Sequence, residues 1–496
     1  MLIAATDALL RGPWLDEFWT VQLSDTRAGL AALIREGWLR DAHPPLFNAL
    51  STLVATLLSW LGFSSIPAGR LAANLPAVLL MLLAAWRVAR RDPALAPFGA
   101  ALLLLVLSLP DAMDVFATWR SYFWQVAAIA TLALVGRHVV TAGRDLEWRR
   151  DLDLAAIAAL ASFVSIALHY VGGLFGGLLS VALAYAALAR GHRRWAALLG
   201  TTALLGAAFI AASVALQLPN WTEQYDHSWI DTPILEASLV PLGLIAAAVL
   251  HNPVPLLALV PNFRFVFSTG ATTGRARPIL QSDRRYAALI ASVILTGIAI
   301  VLVAHLFKPM VVDRYLIAVP VLVCALMAMP AARLASDRRL FALLAAVSVA
   351  VAALPLAQSG IKPLWNEGAR TIRQIAAGCP STRIYAASGW VPGPAAETRA
   401  AHREDPVFER AYRSLAATHG FRMDFLPLDG TAQAKPGACP VLLWFEHTPN
   451  EAENDLLFAI QEAGLKGLEG AQLSAIRSPT GFIVRADRDV SLSALP

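Results

Sequence analysis

The sequence predicts a polytopic α-helical membrane protein of about ten spans, with re-entrant or interfacial helices and a small C-terminal α/β domain. Three observations predict it. The 496 residues are 57% hydrophobic and only 15% charged, with a mean hydropathy of +0.57, outside the usual range of a soluble chain. Apolar runs of spanning length recur between residues 70 and 357. From 360 onward charged, polar and apolar residues alternate as in an ordinary soluble domain. Three segments follow: 1–69, a truncated first helix and an outer loop with interfacial helices; 70–357, the transmembrane helices; and 358–496, the α/β domain.

The spans are expected at 70–86, 95–110, 122–139, 153–168, 171–189, 195–217, 234–250, 286–306, 315–332 and 340–357. A net charge of +5 and a pI of 9.3 would suit a nucleic-acid binder, but the arginines lie in short loops between apolar runs, so no nucleic acid is expected. Clusters at Arg87, Arg90 and Arg91, at Arg137, Arg144, Arg149 and Arg150, at Arg190, Arg193 and Arg194, at Arg275, Arg277, Arg284 and Arg285, and at Arg333, Arg338 and Arg339 follow every second run. One alternating phase is therefore cytoplasmic, and the tail faces outward.

Parity leaves two runs that do not cross. Residues 45–63 have both flanks outside, and the proline-broken run 254–268 has both inside, so each is expected as a re-entrant or interfacial helix. In "TRAGLAALIREGWLRD" the stripe of Leu30, Leu33, Ile34 and Trp38 suits a helix lying in the interface, or a plain soluble amphipathic helix. Only "LIAATDALL" precedes the acidic pair Asp16 and Glu17, too short to span, so the expectation is a start further upstream or a missing first helix.

Arg70, Arg120, Lys308 and Arg314 lie at outer ends of spans, against the positive-inside trend. Cations at a membrane edge either serve a function, or snorkel to headgroups and pair with Asp111, Asp114 and Asp313. Facing Asp16, Glu17, Asp41 and His43, they suit a lipid phosphate beside a proton acceptor. The acidic pair could instead be an Asp N-cap with a Glu in the first helical turn, and "HPP" a turn introducing the next helix.

Five motifs, taken together over residues 11 to 360, resemble the polytopic C-type glycosyltransferases that use polyprenyl-phosphate sugars. They are "WLDEFWT", "DAHPPLF", "GRLAANLPAVLL", "FATWRSYFW" and "VVDRYLIAVPVL". The pattern is most similar to the family of bacterial protein O-mannosyltransferases and lipid A aminoarabinose transferases, with Thr118 where that pattern has an acidic residue. The resemblance implies Asp16 as the catalytic carboxylate. Glu17 and Asp41 would shape the acceptor or sugar site, and Arg70, Arg120 and Arg314 would hold the donor phosphate. His43, Tyr122, Lys308 and Tyr315 complete the expected substrate-binding set.

That reading implies sugar transfer at the outer face of a bacterial cytoplasmic membrane, with inversion at the anomeric carbon. The partners are a lipid-linked sugar donor, membrane lipids and an acceptor that the sequence does not name. No cofactor is expected, no metal-ligating residues are assigned, and the sequence does not decide on a divalent metal. The rival class is a lipid or glycan transporter, a flippase with a charged outer path. Transporters often carry internal repeats, and "HYVGGLFGG" is a helix break with no partner elsewhere. His169 in that break reads as packed or interfacial rather than catalytic. The outward loop 220–233, "NWTEQYDHSWIDTP", suits sugar or headgroup contact and equally an interfacial aromatic belt.

In the tail, "RIYAAS" and "VLLWFE" read as buried strands, and "DPVFERAYRSLAATHG" and "EAENDLLFAIQEAG" as helices. Of the three cysteines, Cys324 sits in an apolar run, and no zinc spacing is present. Cys379 and Cys439 form either a disulfide, in an oxidising compartment, or two buried thiols.

Overall fold

The structure, a computed structural model, describes residues 1–41, 43–63, 65–142, 148–224, 232–259, 276–335, 337–386, 406–425, 438–446 and 471–488. The chain divides into two compact units, one of Met1–Leu9 and Leu23–Gly360, the other of Leu10–Gln22 and Ile361–Pro496. Residues 10–22, which the sequence groups with the N-terminal segment, belong to the unit that holds the tail.

Helices dominate the first two thirds of the chain. They are α1 (Leu2–Leu10), α2 (Leu15–Gln22), α3 (Pro45–Trp60), α4 (Ile66–Arg91), α5 (Ala96–Ser108), α6 (Pro110–Phe116), α7 (Tyr122–Thr141), α8 (Leu152–Ala167), α9 (Tyr170–Ala189), α10 (Arg193–Gln224), α11 (Ile234–Leu250), α12 (Ala276–Phe307), α13 (Ala318–Leu334) and α14 (Arg338–Ser359). The apolar runs expected to span coincide with helices of this set, except that 95–110 is divided at Leu109 between α5 and α6 and 315–332 opens in a 3-10 turn at Asp313–Leu316. Among the described residues five helices are long and apolar enough to cross a membrane, or six with the bent pair α5 and α6, and α3, α8, α11 and α13 are shorter apolar helices. The bend is 69°. It follows from Pro110, which forces Leu109 into an extended conformation (φ −63°, ψ 124°) and ends α5.

α7 is 94% buried over its apolar window, so it is a central helix, apolar on all sides. α10 and α12 are only 28% buried and expose Leu204, Leu205, Leu295 and Phe307. Large apolar side chains standing free on a helix surface are what a lipid-facing wall requires. The larger unit is a multi-pass membrane fold.

One expectation about a short segment changes. The stretch 26–41 is not one amphipathic helix. Gly29, at φ 89°, interrupts it between a 3-10 turn at Thr26–Ala28 and a helical turn at Leu30–Ala32, and a π-helical turn follows at Leu33–Trp38. The π turn brings Leu33 and Trp38 onto one face, where they pack with Leu23 and Ile34 and Trp38 Nε1 donates to Leu23 O at 2.8 Å. Leu30, beyond that turn, is exposed. The run 45–63 is the 16-residue helix α3, with Pro45 at its first position, and rises only about 24 Å. Val254–Leu259 is a 3-10 turn, and the rest of the run 254–268 lies outside the described residues.

The smaller unit contains α15 (Trp365–Gly378), β1 (Arg383–Ala386), α16 (Pro406–His419), β2 (Asp424–Phe425), β3 (Val441–Glu446), β4 (Ala471–Ser478) and β5 (Gly481–Arg488). Its sheet runs β2-β1-β3-β5-β4, with β1 parallel to both neighbours and β5 antiparallel to both of its own. All six residues of β3, VLLWFE, are buried, as a strand covered on both faces needs. The helix expected over 451–464 lies outside the described residues. The β4–β5 hairpin is an addition to the expected elements. Cys379 and Cys439 are disulfide-bonded with their Cα atoms 5.7 Å apart, and Cys324 is a buried free thiol.

Candidate functional site

The larger unit has two chemically different ends. At one end arginines from helix C-termini meet aspartates from helix N-termini. Arg87 and Arg91 of α4 pair with Asp153 of α8 at 2.8 and 3.4 Å. Arg137 of α7 and Arg333 of α13 both bind Asp283 of α12, the latter at 3.0 Å. These are the predicted arginine-rich ends, and ion pairs gather them on one side.

The opposite ends of α7, α8 and α13 carry the site residues. Asp41 Oδ1 lies 3.2 Å from His43 Nδ1, and Asn48 Nδ2 donates to Asp41 Oδ2 at 3.1 Å. A carboxylate there places the imidazole proton on Nδ1 and leaves Nε2 as acceptor. Arg120 Nη2 lies 3.4 Å from that Nε2. Carboxylate, imidazole and guanidinium thus form one hydrogen-bonded array. Burial alone would raise the Asp41 pKa, but His43, Arg120 and Asn48 outweigh it and hold the carboxyl below its ordinary range.

Arg120 is placed by the loop before α7. Asn74 Nδ2 of α4 donates to the carbonyls of Phe116 and Thr118, each at 2.8 Å, and Trp124 Nε1 donates to Ala73 O at 2.8 Å. Gly69 lets Trp119 lie on α4, because a Cβ at 69 would stand 2.2 Å from the indole ring. Arg120 itself is 7% exposed.

An aromatic layer adjoins the array. Tyr122, the first residue of α7, stacks with Tyr315 at a centroid distance of 6.3 Å, and the Arg314 guanidinium lies 5.7 Å from the Tyr315 ring. His169 sits against Tyr315, Tyr122 and His43, at 4.6, 5.6 and 5.7 Å. It occupies the junction of α8 and α9, where Gln125 Nε2 donates to Ser165 O and Gly172 O, and where a Cβ on Gly173 would stand 2.4 Å from Ile166 O. Burial, then the positive charges of Arg120 and Arg314, lower the His169 pKa well below its ordinary value, so the ring is neutral.

The structure therefore brings together Asp41, His43, Arg120, Tyr122, Arg314 and Tyr315. Arg70 is fully buried, and its Nη1 donates to Ala8 O at 3.0 Å. Lys308 directly follows α12. Asp16 and Glu17 stand in the smaller unit, in the first turn of α2 and not at its N-cap, because the helix begins at Leu15. There Phe18 lies 5.5 Å from Trp365, and Trp365 N donates to Pro13 O at 3.3 Å. Among the described residues no group of three or more His, Cys, Asp or Glu side chains could hold a metal ion. Of the loop 220–233, residues 225–231 lie outside the described residues.

Solved structures with this architecture exist. The crystal structure of ArnT from Cupriavidus metallidurans in the apo state matches with a TM-score of 0.52 and 12% identity, covering 98% of this chain and 96% of that one. The crystal structure of ArnT from the same organism bound to undecaprenyl phosphate matches with a TM-score of 0.51 and 14% identity, over 100% of this chain and 97% of that one. The chain has the fold of ArnT. No family model and no curated protein matches it.

Within this ArnT fold three further residues join the site. His169 was legible as part of a glycine-rich break, though not as a site residue. Gln217 is a lone amide in an apolar run. Its Nε2 donates to Trp38 O and to His43 O at 2.8 Å each, and Tyr170 Oη donates to its Oε1. Asn48, one helical turn into α3, is a third polar group that an apolar run concealed.

Proposed function

We propose that the chain is a membrane glycosyltransferase that moves a sugar from a polyprenyl-phosphate donor to an envelope acceptor at the outer face of the cytoplasmic membrane. The array of Asp41, His43 and Arg120 beside Arg314 and the Tyr122–Tyr315 pair carries the reading. It stands at the helix ends opposite the arginine-rich ones, in a fold shared with a protein solved with undecaprenyl phosphate. In this assignment the arginine-rich ends are cytoplasmic, and the disulfide-bonded tail is extracytoplasmic.

An acceptor oxygen or nitrogen attacks the anomeric carbon, the bond from that carbon to the phosphate oxygen breaks, and configuration inverts. The phosphate leaves with one more negative charge than it had in the diester. Arg120 and Arg314 oppose that charge as it grows. Asp16, assigned by the motif it stands in, takes the acceptor's proton. Tyr122 and Tyr315 offer aromatic faces to the sugar or to the first prenyl units.

The test is mass spectrometry of undecaprenyl-phosphate sugars incubated in bilayers with the purified protein and envelope extract. Wild type should release undecaprenyl phosphate, and Asp16→Asn and Arg120→Ala should each slow release by at least about a hundredfold. An unchanged lipid pool with wild type, in the presence of that extract, overturns the reading.

A further inference from the structure

The His169 imidazole has one nitrogen committed and one not. Nδ1 accepts a hydrogen bond from Gly172 N at 3.2 Å, capping the start of α9. A neutral ring that accepts at Nδ1 carries its proton on Nε2. Among the described residues nothing accepts from Nε2. The side chain is 5% exposed, and Nε2 is not among the fully enclosed atoms, so an acceptor from outside the chain can reach it.

What surrounds the ring says what kind of partner fits. The permanent charges acting on it are the guanidinium groups of Arg120 and Arg314, and the neighbouring His43 ring is held by Asp41 and Arg120. Tyr122 and Tyr315 close two sides as ring faces. An acceptor entering this space meets converging positive potential, which favours an anion over a neutral hydroxyl.

We propose that His169 binds the substrate phosphate by donating Nε2–H to one of its non-bridging oxygens, an inference that rests on the glycosyl-transfer reading. A neutral donor fits a group whose charge grows during reaction. The bond strengthens as the phosphate passes from diester monoanion to monoester dianion, so His169 favours the leaving group over the ground state. No proton moves to or from the ring.

Two variants separate the nitrogens. In His169→Asn the side-chain oxygen still caps α9, but the far donor is gone; His169→Gln keeps a donor near the Nε2 position and gives up the cap. The measurement is binding of undecaprenyl phosphate and of undecaprenol to the full chain in nanodiscs, with thermal unfolding as the fold control. Wild type should prefer the phosphate. His169→Asn should lose about tenfold or more of affinity for the phosphate lipid while binding undecaprenol normally, and His169→Gln should keep most of the preference. Unaltered phosphate affinity in His169→Asn overturns the inference and leaves the glycosyl-transfer reading standing. Equal loss in both variants also overturns it, since the ring then acts only through the start of α9. Should His169→Asn fail to fold, retained preference in His169→Gln supports the inference and its loss overturns it. A wild type that binds both lipids alike removes the transfer reading and this inference together.

Discussion

Gln217 donates to the main-chain oxygen of His43 at 2.8 Å across 174 positions of sequence. The same amide holds Trp38 O, so one side chain on α10 fixes both ends of the segment that delivers Asp41 and His43. Gln217→Leu leaves two carbonyls without their donor in a buried setting, at a cost of about 1–3 kcal/mol. The expected outcome is a lower thermal midpoint and weaker binding of the phosphate lipid, with Tyr170→Phe showing a smaller effect. A Gln217→Leu protein with wild-type stability and affinity would remove Gln217 from the site.

Asp41 fixes the His43 tautomer and, through it, the partner of Arg120. Asp41→Asn keeps the volume but removes the charge, and the amide can offer its nitrogen where an acceptor is needed. Transfer is expected to fall by about tenfold to a hundredfold. The folded Asp41 carboxyl lies below its ordinary range, so its contribution is present above the unfolded pKa and is lost only as pH falls through the lower folded value. Between about pH 5 and pH 9 Asp41 stays ionised. The ratio of wild-type to Asp41→Asn activity should therefore be flat over that window, and an activity ratio that climbs through pH 6 would assign the titration to another group.

The membrane fold was legible because hydropathy and arginine phase are long-range, repetitive signals. The ends of α4, α7, α8, α12 and α13 that arginine spacing grouped are the ends that Asp153 and Asp283 tie together. Asp41, His43 and Arg120 were legible as chemistry because charged residues in a greasy chain are few. His169 and Gln217 were not, since their meaning depends on which helix ends meet, and no local pattern reports that. The stripe at 30–38 misled because periodicity assumes an unbroken α-helix, whereas Gly29 and a π turn set a different spacing. The β4–β5 hairpin went unread because alternation in AQLSAIRS is weak and its pairing is made with β3.

The Cys379–Cys439 bond joins the segment after α15 to the start of β3 across 60 residues of sequence. Closing a loop of that length stabilises by about 4 kcal/mol in the chain-entropy account. Cys379→Ser with Cys439→Ser should lower the unfolding midpoint of the tail and speed its proteolysis, leaving Cys324 as the sole reactive thiol under denaturing conditions. Alkylation of the intact, unreduced protein after denaturation should label one cysteine, and labelling of three would show that the bond does not form.

Glu446 ends β3 inside the smaller unit, 2% exposed, with Oε1 accepting from Trp444 Nε1 at 2.8 Å and Oε2 from the hydroxyls of Ser478 and Thr480. Gly368 lies so close that a Cβ there would stand 2.3 Å from Oε1. Burial pushes the carboxyl up to about 7, against hydrogen bonds that favour the ion. Below about pH 4.3 the folded and unfolded chains are both protonated here. From there to pH 7 the folded state holds a proton that the unfolded state has lost, so stability falls as pH rises across that window and levels off above it. The full penalty is about 3 kcal/mol. Glu446→Gln keeps an oxygen for Trp444 and turns its nitrogen to the two hydroxyls, which can rotate to accept. The variant should therefore be more stable than wild type at pH 8 and indistinguishable from it near pH 4.5. Denaturant midpoints of the tail transition at those two pH values decide the matter: equal gains at both would place the ionisation elsewhere.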